Sequence, residues 1–270
     1  MSATQTAALI ARYGLIEPPF SLSPDPRFLY LTPQHHHALA HIRFTVDDRQ
    51  GLGVLYGDIG HGKSTLVRRL YDLYRDEPAF EVILLTNPDM ASALQLLKRI
   101  TDACGLPRRR TKLDQMQEFE NYLVEKYAEG KTVLLMIDEA QQMHGPMFEL
   151  IRQITNFESA STKLIQIILV GQNNLRNKLR MKRALLSRAA AVSTLDPMTL
   201  EETRAMIEFR LRIAGRNTPL FEESTILKIH KLSKGVPREI VKRCRTAITV
   251  AALNGFDTIP LEAIQDESEA

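Results

Sequence analysis

Nine residues, Gly57-Asp58-Ile59-Gly60-His61-Gly62-Lys63-Ser64-Thr65, carry the spacing G-x-x-x-x-G-K-[ST], a pattern that holds phosphate. Its glycines let successive backbone N–H groups curl round an anion without Cβ clashes. A helix that opens at the lysine adds N–H groups lacking intrahelical partners and the positive end of its dipole. Lys63 has the reach for the β- and γ-phosphates of a nucleotide, and the Ser64 hydroxyl suits Mg2+.

Farther along, Thr132-Val133-Leu134-Leu135-Met136-Ile137 runs into Asp138-Glu139. An apolar run of this kind suits a central parallel strand, and the carboxylates fall at its C-terminal end, where open α/β sheets place ligands. Asp138 is expected in the Mg2+ shell, directly or through water. Glu139 is expected to orient and activate the water that attacks the γ-phosphate. Gln172 or Asn173, at the end of an apolar run over residues 164–172, is placed to touch the γ-phosphate or that water, or else to cap the next turn.

The elements that must position these groups read as alternating strands and helices. Apolar stretches at 52–56, 80–86, 132–137, 164–172 and 189–195 predict five strands. Helices are expected after Thr32-Pro33, after the phosphate loop, through Leu94, Leu97, Ile100 and Cys104, and over 113–128 and 148–157. His35, His36 and His37 point to different faces of the first of these and serve as surface and packing residues. A short basic helix carries Arg176, Lys178, Arg180, Lys182, Arg183 and Arg188. The texture changes at Asp196-Pro197. Beyond it the chain shows helical patterns only, the first opened by a capping box of Thr199 and Glu202. The domains expected are an arm over 1–33, an α/β core over 34–196 and a helical domain over 197–270, its acidic end from 265 frayed.

Composition agrees with a soluble globular chain: 44% hydrophobic and 25% charged residues in 270, with net charge +3. A balance so near neutral permits an anionic partner without requiring one. No apolar run approaches the roughly 18 residues of a membrane span, and residues 1–11 lack the pattern of a signal peptide. Cys104 and Cys244 stand alone, as small buried residues. A cytoplasmic protein without a membrane partner is expected.

This arrangement resembles an AAA+ ATPase: an α/β fold with a five-stranded parallel sheet flanked by helices, plus a C-terminal helical lid. Tyr13-Gly14-Leu15, Pro19-Phe20, residues 24–30, His41, Gly171-Gln172-Asn173-Asn174-Leu175 and Gly235-Val236-Pro237-Arg238 are similar to the ExeA-like group, which includes secretion-linked ATPases and TnsC-type regulators of DNA transposition. The resemblance covers roughly residues 12–255 and implies ATP and Mg2+ as cofactors. It makes Gln172 resemble sensor 1 and Arg238 resemble sensor 2, a contact to the nucleotide of the same subunit. Arg188, or nearby Arg183, looks like an arginine finger offered to a neighbouring subunit, which implies a ring or helical filament. The arm implies apolar contact with adenine over residues 28–31, from Phe28 and Leu29 onward. His61 stands where the group has a small residue and is expected to be exposed, with no role as a base.

Arg108-Arg109-Arg110-Thr111-Lys112 lies between the second and third strands, in the insertion that nucleic-acid-associated AAA+ proteins turn toward a central pore. By resemblance it implies sequence-independent contact with duplex DNA. Secretion-type members add a membrane span and a cell-wall-binding domain, which this chain does not show. The expectation is therefore a TnsC-like regulator linking a target-selector protein to a transposase. The alternatives are an ExeA-like secretion ATPase and a replication initiator or helicase loader. A switch without hydrolysis conflicts with Glu139.

Overall fold

A computed structural model of the chain describes residues 11–23, 25–159 and 162–264. Residues 1–10, Pro24 of the arm and the acidic end from 265 lie outside the described residues. Five strands form one parallel sheet: β1 (Leu52–Gly57), β2 (Phe80–Leu85), β3 (Thr132–Ile137), β4 (Ile165–Gly171) and β5 (Ala189–Leu195), in the order β2-β3-β4-β1-β5. All five coincide with the apolar runs to within two residues. β1, β3 and β4 are buried along their whole length, as interior strands covered on both faces must be, while edge strand β5 alternates.

Helices cover the sheet: α1 (Pro33–Asp47), α2 (Lys63–Tyr74), α3 (Ala93–Ala103), α4 (Lys112–Ala128), α5 (Gly145–Ile154), α6 (Asn173–Arg180) and α7 (Arg183–Leu186). The basic helix expected over 176–188 is thus two helices, broken at Met181 and Lys182. Polar caps set several starts: Ser92 accepts from Gln95 N–H at 3.2 Å, and Thr111 from Asp114 N–H at 3.1 Å. Gln115, Phe119 and Leu123 turn the buried face of α4 inward, toward a core that also holds Leu96, Leu97 and Ile100 of α3 and Leu135 of β3.

The chain divides into two compact units, 33–195 and 196–270 with 1–32. The second unit is built on α8 (Leu200–Ile213), α9 (Glu223–Ser233) and α10 (Pro237–Leu253). The Thr199–Glu202 capping box closes in both directions, at 3.2 and 2.9 Å. The arm is part of this unit. Tyr13, Leu15, Phe20 and Phe28 share one core with Met206, Ile207, Leu211 and Cys244. Arg216 donates to the Tyr13 carbonyl at 2.7 Å, and Arg210 to that of Pro19 at 3.0 Å. Two units therefore stand where three segments were expected, and the boundaries move one residue back, to 32/33 and 195/196. Among the described residues no helix is long and apolar enough to cross a membrane.

Candidate functional site

Strand order builds the site. β4 lies between β1 and β3, and all three are parallel. Their C-terminal ends therefore open on one edge of the sheet. The phosphate loop leaves β1, Asp138-Glu139 leaves β3, and Gln172 leaves β4 between them, at the kind of crevice where a doubly wound sheet binds ligands.

The loop has the backbone its glycines permit. Gly60 and Gly62 sit at φ +87° and +89°, and a Cβ at Gly62 would stand 3.0 Å from His35 Nε2. α2 opens at Lys63 directly after Gly62 with no side-chain cap. Its first N–H groups are the donors a phosphate would take. Lys63 is buried and its Nζ donates to the Asp58 carbonyl at 2.9 Å. Burial holds its ammonium below the ordinary lysine range, against the pull of Glu139, Asp138 and Asp58.

Asp138 is also buried, at 7% exposure. Burial lifts its carboxyl above the ordinary range and the Glu139 charge adds to this, while Glu139 N–H (2.9 Å), the Ser64 hydroxyl and Lys63 oppose it. A buried cation and a buried anion thus face opposite penalties, which a phosphate and a divalent cation would relieve together. Uncapped N–H groups, Lys63 and the Ser64–Asp138 pair fit a nucleotide with Mg2+.

Glu139 and Gln172 meet: Gln172 Nε2 lies 3.4 Å from Glu139 Oε2. Sequence reasoning passed over Gln141, which is buried and donates to the same carboxylate oxygen. Its signal is that it is the first polar residue past the acid pair.

His61 corrects an expectation. It is 4% exposed, its Nδ1 donates to the Leu195 carbonyl at 2.9 Å, and its own carbonyl accepts from His35 Nε2 at 3.0 Å. The loop is pinned to the end of β5 on one side and to α1 on the other. His35 is therefore buried packing, and His36 and His37 are exposed.

Among the described residues, Arg183 and Arg188 make no hydrogen bond or ion pair to Lys63, Asp138, Glu139 or Gln172, and Arg238, Phe28 and Leu29 belong to the other unit. Arg188 donates from Nε to Asn156 Oδ1 at 3.2 Å and from its guanidinium to the Ala184 carbonyl, and Arg183 is exposed at the start of α7. Lys178, although exposed, donates to the carbonyls of Gln141 and Met143 at 2.5 and 3.0 Å. In the helical unit, Arg238 is exposed in the first turn of α10. Phe28 is buried, its ring under the Arg210 guanidinium at 5.9 Å, whereas Leu29 is part-exposed.

The basic stretch between α3 and α4 is largely engaged within the chain. Arg108 pairs with Asp102 at 2.7 Å and Arg109 with Glu118 at 2.8 Å. Thr111 caps α4, and Lys112 donates to Gln153 at 2.8 Å. Arg110 is exposed.

Residues 46–179 match the protein family described as AAA domain. Over 251 residues the chain is 34% identical to general secretion pathway protein A of Aeromonas hydrophila, an alignment covering 92% of this chain and 45% of that protein. The chain thus spans less than half the length of this relative. Among solved structures, the Aeropyrum pernix ORC2 protein in its ADPNP–ADP complexes superposes with a TM-score of 0.65 at 17% identity, over 92% of this chain and 70% of that one. Drosophila ORC bound to DNA gives 0.69 at 15% identity, over 100% and 68%. Residues 46–179 thus match an AAA domain on this five-stranded parallel sheet, and the phosphate loop with buried Lys63 and Asp138 fits ATP with Mg2+.

Proposed function

We propose that this chain is an AAA+ ATPase that assembles as a ring or helical filament on duplex DNA and links target-site selection to a transposase, as TnsC-type regulators do. In this reading Lys63 and the loop N–H groups hold the phosphates. Ser64 and Asp138 would ligate Mg2+, which screens phosphate charge when bound. Leu29 and its neighbours in the arm contact adenine. Glu139 takes a proton from the water that attacks the γ-phosphorus, ADP leaves, and Gln172 holds that carboxylate in register. Arg238 reaches the phosphates of its own subunit, and Arg188 or Arg183 those of a neighbour, so turnover depends on assembly.

The observation that carries the assembly is the tract after Gln172. From residue 173 to 195 the chain has Arg176, Lys178, Arg180, Lys182, Arg183 and Arg188 and no acidic residue. Arg176, Arg180, Lys182 and Arg183 are exposed on α6, α7 and the turn between them. Such a face calls for an anionic partner, and a nucleotide bound by the next subunit is one.

The secretion-pathway relative supports a second reading, an ATPase of ExeA type whose oligomer acts on protein. Negative-stain microscopy with a slowly hydrolysed ATP analogue, with and without duplex DNA, separates the two. Rings or filaments that require both ligands are expected. Assembly with nucleotide alone, indifferent to DNA, would favour the second.

A further inference from the structure

The turn that follows β3 has an uncommon backbone. Glu139 adopts φ 54°, ψ 32°, the left-handed region that non-glycine residues seldom occupy. The chain then closes a short 3-10 turn, Ala140–Gln142, so that Gln141 comes back to the Glu139 carboxylate. Its Nε2 donates to Glu139 Oε2, while its Oε1 accepts from the Gln172 backbone N–H at 3.1 Å. Its own carbonyl is held by Lys178 Nζ at 2.5 Å. The side chain is 6% exposed and packed against Gly171, where a Cβ would stand 2.7 Å from Gln141 Oε1.

We propose that Gln141 is a positioning residue for hydrolysis, one that fixes the Glu139 carboxylate and ties it to the end of β4. It takes up Oε2, together with the longer contact from Gln172, and among the described residues Oε1 of Glu139 receives no hydrogen bond. That oxygen is left to the attacking water. The bridge needs a donor at one end and an acceptor at the other, because a carboxylate offers only acceptors and a backbone N–H only a donor. A neutral amide supplies both. Glutamate at 141 would set two carboxylates side by side, and leucine would supply neither end. Any shift of Gln172 at the end of β4 reaches Glu139 through this amide, so the group that senses phosphate and the group that activates water move together.

This inference rests on reading Glu139 as the base, and the test keeps the two apart. Single-turnover hydrolysis at saturating ATP and Mg2+ is measured on the full chain with and without duplex DNA, beside nucleotide affinity and thermal melting. Gln141→Leu is expected to lower turnover about 10–100-fold, the range seen where a residue that orients a metal-ligating side chain is lost, with nucleotide affinity changed by less than about twofold. In a Glu139→Asp background the shortened carboxylate no longer reaches the amide, so the same substitution is expected to cost less than about threefold. Equal losses in both backgrounds, a fall in affinity matching the fall in rate, or a faster Gln141→Leu protein would overturn the proposal. If Gln141→Leu melts early, Gln141→Asn keeps the amide one methylene short. Loss of turnover in it supports the proposal, and normal turnover sinks it. Turnover retained in Glu139→Gln removes the base itself, whereas its loss beside an unaffected Gln141→Leu removes only the bridge.

Discussion

Two charged regions of the α/β unit meet their surroundings in opposite ways. At the C-terminal edge of the sheet, Lys63 and Asp138 are 5% and 7% exposed, and burial opposes the charge on each. Between α3 and α4, Arg108 and Arg109 keep side chains 70% and 48% exposed and are matched by Asp102 and Glu118. Surface pairs of the second kind contribute about 0–1 kcal/mol, because solvent and salt already screen both charges. Ions of the first kind lack water's compensation and are poised for a ligand that brings the opposite charge. A run of basic residues is the more visible feature in a sequence, but the less visible buried pair is the one whose charges a ligand would compensate.

That contrast can be broken most forcefully at the buried end. Glu139→Gln is expected to keep nucleotide affinity and to lower turnover about 10²–10⁴-fold, the usual contribution of a positioned general base, measured as phosphate release beside nucleotide titration. Turnover within a few-fold of the parent would reassign the base. Lys63→Ala should instead act on binding, so the two substitutions separate the roles that burial has placed side by side.

Gly171→Ala is expected next in size. Its Cβ would meet Gln141 Oε1 at 2.7 Å and Leu175 Cδ2 at 2.8 Å, both in a packed interior. A loss of roughly 1–3 kcal/mol in unfolding free energy is expected, as for other overpacked cores, with a fall in turnover as Gln141 is displaced. Denaturant unfolding together with the hydrolysis rate would show it. Unchanged stability would mean that the end of β4 yields more readily than its packing suggests.

Asp138→Asn should move activity and stability in opposite directions. The folded carboxyl lies above its ordinary value of 3.8, chiefly through burial. A group raised in this way contributes stability below its unfolded pKa and loses it as pH rises through the folded pKa, so at neutral pH the ionised carboxylate opposes folding. Removing the charge should raise the melting temperature of the nucleotide-free protein by roughly 2–4 °C, the change that about 1 kcal/mol makes at this size. The gain should shrink as pH falls toward 4, while Mg2+-dependent turnover is lost at every pH. A lower melting temperature at neutral pH would show that Ser64 and the Glu139 N–H already compensate the charge.

The strands were legible because each is a short apolar run bounded by turn residues, and the order of loop, acid pair and Gln172 followed from where those runs end. The lid helices were legible through Thr199-Glu202 and Gly235-Val236-Pro237. What escaped was set by long-range contacts that leave no local pattern. His61 reads as a polar residue in an exposed loop, yet its hydrogen bond is to Leu195, 134 positions away. Gln141 reads as one of several polar residues after a strand, and its role depends on Gln172. Phe28 reads as part of an arm able to reach a ligand, whereas its ring lies under the Arg210 guanidinium. The basic stretch could be located but not weighed, because Asp102 and Glu118 lie on flanking helices whose facing is decided only by packing.

The smallest expected effect comes from the exposed region and tests how much of its charge is available. Each phosphate contact contributes roughly 0.9 to the slope of log affinity against log salt. Four independent cations at 108, 109, 110 and 112 would therefore account for about 3.6. Two of them are already paired with carboxylates and Lys112 is held by Gln153, so replacing all four with alanine should flatten the slope by only about 1. Arg110→Ala alone should reproduce most of that change. Duplex affinity measured from low to moderate salt gives the slope directly. A drop near the full value would mean that DNA displaces Asp102 and Glu118 from their arginines and draws the loop into the interface. An unchanged slope would place the duplex elsewhere on the chain, with the acid-free tract on α6 and α7 the next surface to neutralise.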